Sequence, residues 1–129
     1  FFQCHPAHYP SDSGCSSGDE YICVSEFHIT KNVKNPYFYI FSDDILWAKD
    51  NLKIEQPHTF VNWNKKDYED LHLMTFAKHH IIANSSFSWW GAFLKKDQTG
   101  ITIVPSTGFY TETNPTRIQL PDWIAIDVK

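Results

Sequence analysis

Apolar residues alternate between two spacings along this chain. Short β-branched or aromatic runs occupy 37–41, 58–61, the segment around Ile81 and Ile82, 101–104 and 123–126. Between them lie stretches with helical spacing. The first covers 19–32, where Ile22, Phe27 and Ile29 mark an apolar face and Asn35-Pro36 supplies the stop. A short helix is expected over 45–52, capped by Ser42, Asp43 or Asp44. The strongest covers 67–78, with Tyr68, Leu71, Met74 and Phe76 on its apolar side. Its acids Asp67, Glu69 and Asp70 fall in the first turns, where the helix dipole favours them. A last helix opens in the serine-rich turn before Trp89. Residues 1–18 mix His, Pro, Ser, Gly and Cys with neither period, and read as irregular.

Strands alternating with helices predict an α/β fold, a parallel sheet with helices on both faces, over 19–129. Ligands of such sheets bind beyond the carboxyl ends of the strands. Two strand ends are polar here: Ser42-Asp43-Asp44 and Asn84-Ser85-Ser86-Phe87-Ser88. Both are expected on one edge of the sheet.

That edge carries the candidate chemistry. Ser85, Ser86 and Ser88 offer hydroxyls and unpaired amides where a helix begins, a setting suited to an anion such as phosphate. The same residues would serve as ordinary caps. Asp43 and Asp44 suit a ribose hydroxyl or a basic side chain, or else one caps and the other is solvated. Asp70 suits the paired N–H donors of a guanine edge. Trp89 and Trp90 point about 100° apart on a helix, so one can enter the core while the other borders the site. His72, His79 and His80 raise the question of a base or metal ligand, but their spacing favours structural roles. No Gly-rich phosphate loop, HExxH or GxSxG motif is present.

Composition narrows the field further. The 129 residues, 42% hydrophobic and 16% aromatic, suffice for one domain. A net charge of -4 and a pI near 5.9 argue against a nucleic-acid partner. Cys4, Cys15 and Cys23 lack metal-site spacing and give no disulfide framework, so a reducing compartment is favoured. No apolar run is long enough to span a membrane, and no signal peptide is visible. Because the chain starts at Phe1 rather than Met, it is expected to be a fragment.

Two blocks carry a resemblance. Residues 37–52, YFYIFSDDILWAKDNL, and 70–94, DLHLMTFAKHHIIANSSFSWWGAFL, closely resemble the bacterial α-1,2-fucosyltransferases of glycosyltransferase family 11. The likeness runs from about residue 20 to 105. It implies a Rossmann-like, donor-binding half of a GT-B-type enzyme, inverting transfer from GDP-fucose to the 2-hydroxyl of a galactoside, and neither metal nor cofactor. By the same resemblance, Asp43 and Asp44 lie at the ribose–phosphate region and Asp70 reads guanine. Ser85, Ser86, Phe87 and Ser88 would hold the diphosphate. A cytoplasmic or membrane-associated location is implied, the latter peripheral. The family's HxRRGD-type motif, whose Arg neutralises the diphosphate, is missing, and Arg117 is the only arginine. The catalytic base is not identified. The isolated chain is therefore expected to be inactive or nearly so, the alternative being a non-catalytic remnant that retains a nucleotide-sugar or glycan site.

Overall fold

A computed structural model describes residues 2–3, 20–106 and 120–126. In chain order these form β1 (Phe2–Gln3), α1 (Glu20–Asn32), β2 (Phe38–Phe41), α2 (Ile45–Asn51), β3 (His58–Phe60), α3 (Asp67–Met74), β4 (His80–Ile81), α4 (Ser86–Phe93), β5 (Thr102–Pro105) and β6 (Ile124–Ile126). The strands make one parallel sheet in the order β3-β2-β1-β4-β5-β6. Chain order reverses on either side of β1, so the β1–β4 boundary is a topological switch point, where such sheets open a crevice.

The expected irregular opening thus contains one ordered element. Phe2 pairs with Ile40 on one side and Ile81 on the other, which makes β1 central. Two residues are too few to display a period, so this strand was invisible in the pattern. The remainder of 1–18 lies outside the described residues, apart from Gln3.

Helices cover both faces. On one, Tyr21, Ile22 and Ile29 of α1 and Ala48 of α2 pack with Phe38, Ile40, Ile81 and Ile103. On the other, Met74 of α3 and Ala92 of α4 pack with Phe41, Val61, Ile82, Val104 and Trp123. Near-continuous burial of Ile81, Ile82 and 102–105 is what a parallel sheet covered on both faces requires.

Three expectations about packing need correction. Phe27 is 67% exposed, because Tyr21, Ile22, Ser25 and Ile29 form the inward stripe of α1. The helix of strongest pattern ends at Met74 rather than Lys78. The amides of Thr75, Phe76 and Ala77 bond back to His72, Leu73 and Met74 carbonyls, a tighter three-residue winding. That rotates Phe76 outward, 57% exposed, where the Lys96 ammonium sits 3.8 Å from its ring centroid. Tyr68 is also exposed. Finally, Tyr37 precedes β2 instead of joining it, and Tyr39 is 47% exposed beside an apolar hollow lined by Phe41, Val61, Trp63 and Phe76. Cys23 on α1 is disulfide-bonded, which counts against the reducing compartment that the cysteine pattern favoured.

Gly91 sets the spacing of α3 and α4. A Cβ built there would lie 2.8 Å from Met74 Sδ and 3.1 Å from Met74 Cβ, so only glycine permits this approach without a shift.

Candidate functional site: a carboxylate-lined cavity at the strand ends

β2 delivers Ser42, Asp43 and Asp44 to the carboxyl edge. The Asp44 amide donates to Ser42 Oγ at 3.1 Å, and Asp44 Oδ1 accepts from the Trp47 amide at 2.9 Å, capping α2. The two acids are thereby separated in role. Asp44 is turned to its helix, whereas Asp43 lines a cavity of about 410 Å³.

β4 ends beside it. The Ser85 amide donates to the Ala83 carbonyl at 2.8 Å, tightening the turn, and Ser85 takes an extended conformation as the N-cap of α4 without a side-chain cap bond. Ser85 and Phe87 line the same cavity as Asp43. Ser86 is exposed on the first turn. Ser88 is fully buried, and its hydroxyl donates toward the Ala83 and Ser85 carbonyls at 3.2 and 3.1 Å. Its side chain fastens the helix start, while its amide belongs to the first turn, whose N–H groups have no partner within the helix.

α3 supplies the third wall. Asp67 and Asp70 stand three residues apart on one helix face, and both line the cavity above Met74. Glu69, between them, turns the other way: Oε2 accepts from the Lys65 and Lys66 amides at 2.8 and 3.0 Å. Asp70 Oδ1 accepts from Asn64 Nδ2 at 2.7 Å.

Of the expected site residues, Asp43, Asp70, Ser85 and Phe87 come together around one opening. Asp44 and Ser88 are next to lining residues in the chain but have their side chains engaged elsewhere, and Ser86 is exposed and not among the lining residues. Neither tryptophan lines it. Trp89 stacks on Phe93 at 5.0 Å and packs against Trp123, and Trp90 is exposed. Sequence reasoning passed over Asn64 and placed Asp67 only in a helix turn. The Asp67–Asp70 spacing was the available signal; the Asn64 contact crosses a loop and left none.

The histidines lie apart from this cavity. His72 packs edge-on against Phe76, with centroids 5.0 Å apart. His79 and His80 are at the amino end of β4, the opposite edge of the sheet. His79 Nδ1 accepts from the Ile101 amide, and His80 Nε2 donates to the Ala77 carbonyl. Burial pushes both imidazoles below the usual histidine range, His80 to about 3.

Chemically the cavity is a ring of acceptors. Three carboxylates and two serine hydroxyls line it with Phe41, Met74 and Phe87, and no basic side chain is among the lining residues. Such a lining suits a ligand rich in N–H or O–H donors, with flat apolar contact on Phe87. An anionic group would be repelled from the carboxylates and drawn to the α4 amides. Among the described residues no cluster of His, Cys, Asp or Glu is suited to holding a metal ion, and no helix is long and apolar enough to cross a membrane.

Comparison with known proteins places this arrangement in context. The family model described as glycosyl transferase family 11 matches residues 11–127. An α-1,2-colitosyltransferase of Escherichia coli is 38% identical over 114 residues, covering 84% of this chain and 39% of that protein. The O-antigen biosynthesis glycosyltransferase WbnK of Escherichia coli is 34% identical over 87 residues, covering 66% of this chain and 28% of its own length. Human galactoside α-(1,2)-fucosyltransferase 1 is 26% identical over 98 residues, 71% of this chain and 27% of that protein. The chain therefore spans well under half the length of these relatives. No solved structure matches.

Proposed function

The chain belongs to glycosyl transferase family 11, and from that premise we propose that it forms the donor-binding part of a fucosyltransferase-type enzyme. The sheet would be one Rossmann-like half of a GT-B-type architecture. Its cavity would take GDP-fucose, with a galactoside glycan as acceptor. The observation that carries this reading is the convergence of Asp43, Asp70, Ser85 and Phe87 on one 410 Å³ opening beyond the strand ends.

In this reading Asp70 accepts from the guanine edge, and Asp43 lies at the ribose–phosphate region, with Asp44 beside it in the chain but capping α2. The diphosphate rests on the amides of Ser86, Phe87 and Ser88, with the Ser85 and Ser86 hydroxyls beside it. The acceptor's 2-hydroxyl oxygen attacks fucose C1 from the face opposite the nucleotide. The C1–O bond breaks, GDP departs with the electron pair, and the acceptor proton passes to a base outside this chain. Charge builds on the departing diphosphate, so its neutralisation is the main electrostatic task. The cavity lining supplies no cation for it, and the isolated chain is expected to bind the donor without transferring sugar. A membrane-peripheral location fits this reading.

Calorimetric titration with GDP, ADP and UDP tests the site. Saturable binding with a preference for GDP supports it, and equal or absent binding of all three defeats it. A second reading concerns the sugar alone: the 38% identical relative is named for colitose transfer. Competition between the two nucleotide sugars for the GDP site separates these readings. Fucosyl transfer to lactose by the isolated chain would overturn the expectation of inactivity and exclude a purely non-catalytic remnant.

A further inference from the structure

We propose that Asn64 is a positioning residue that sets the plane of the Asp70 carboxylate, and through it the discrimination of the base in the cavity. This rests on the donor-site reading above.

The geometry begins in the loop between β3 and α3. An ionised carboxylate only accepts hydrogen bonds, so the 2.7 Å contact fixes the Asn64 amide with its nitrogen toward Asp70 Oδ1. Asp70 sits in the first turn of α3, where its side chain has rotamer freedom about two torsions. One donor to one oxygen removes most of that freedom and orients the second oxygen. Both residues are half-buried, so the contact is shielded from competing water more than a surface pair would be. Oδ1 keeps a second lone pair, and Oδ2 keeps both. A carboxylate so held can still receive two parallel N–H donors, as on the N1–H and 2-amino edge of guanine. Unheld, it could turn and receive one.

The loop holds Asn64 through a separate device. Glu69 Oε2 accepts from the amides of Lys65 and Lys66, immediately after Asn64. Loop stability and Asp70 orientation thus depend on two different side chains, which makes them experimentally separable.

The test compares GDP with inosine diphosphate, which lacks the 2-amino group, by calorimetric titration of the whole chain. Asn64→Ala is expected to weaken GDP binding about tenfold and inosine diphosphate binding less, so that the ratio of the two falls. Asn64→Gln, which keeps the donor, should recover part of the ratio. Glu69→Ala should lower the melting temperature while preserving the wild-type ratio. Should Asn64→Ala retain that ratio while Asp70→Ala loses it, the positioning role is overturned and the donor site stands. It is equally overturned if Glu69→Ala depresses the ratio as far as Asn64→Ala does. Wild-type protein binding neither nucleotide, or both equally, would remove guanine reading by Asp70 and this inference with it.

Discussion

The Tyr21 hydroxyl donates to the Ile82 carbonyl at 2.6 Å and lies 3.2 Å from the Ile103 carbonyl. Because the Ile82 amide also donates to Ile103 O, at 3.0 Å, one phenol ties α1 to two adjacent strands just before the cavity. Tyr21→Phe keeps the ring and removes the donor, leaving a buried carbonyl short of a partner. The expected loss is about 1–2 kcal/mol, read as a lower urea midpoint with unchanged slope.

Gly91→Ala sets two effects against each other. Alanine favours a helix by about 1 kcal/mol, but its Cβ would meet the sulfur and Cβ of fully buried Met74. Overpacking should win, with a net loss of about 1–2 kcal/mol. In a Met74→Ala background the same change should be neutral or stabilising. A double-mutant cycle with no coupling would contradict the close packing of α3 on α4.

Asp43 and Asp44 should separate under mutation. Asp44→Ala removes the α2 cap and is expected to lower stability by about 1 kcal/mol. Asp43→Ala, which alters the cavity lining, should weaken nucleotide binding more than Asp44→Ala does. The paired measurement is thermal unfolding of each variant with and without GDP.

Acid should destabilise the fold through His80. Its folded-state pKa, about 3, lies below the usual histidine value because burial disfavours the imidazolium. The unfolded chain therefore binds more protons, and this contribution is complete above about pH 6.5 and lost as pH falls toward 3. Between pH 7 and pH 5 the loss should be about 2 kcal/mol. His80→Gln should flatten that part of the profile in urea titrations at the two pH values.

Much of the architecture was legible because it was written in residue type. Ile81-Ile82 and the run from Ile101 announce buried strands, and the polar groups directly after Phe41 and Ala83 mark where those strands stop. Parallel order and a shared edge follow from strand–helix alternation. The misreadings of the helices have a common cause: an apolar residue at helical spacing need not face the core. Phe76 falls past the point where α3 tightens its winding, and a lysine from after α4 covers its ring. The gathering of polar residues around one cavity was legible as residue types at strand ends, but the division of roles among them was not. Which of Asp43 and Asp44 would cap, and which of the serines would be buried, depends on rotations that sequence does not carry. The Asn64–Asp70 contact requires a loop to fold back on the helix that follows it.

The central position of β1 has a consequence for how the molecule assembles. Phe2 pairs with residues about 40 and about 80 positions later in the chain, so the middle of the sheet closes by contacts of high contact order, which form slowly. The β2–β3 and β4–β5 pairs can each assemble from nearer neighbours, but no backbone ladder joins them until β1 slots between them. Asp43 comes from one half and Ser85 from the other. The opening they share should therefore be among the last features acquired in folding, and a molecule gripping both sides would act as a clamp across the seam.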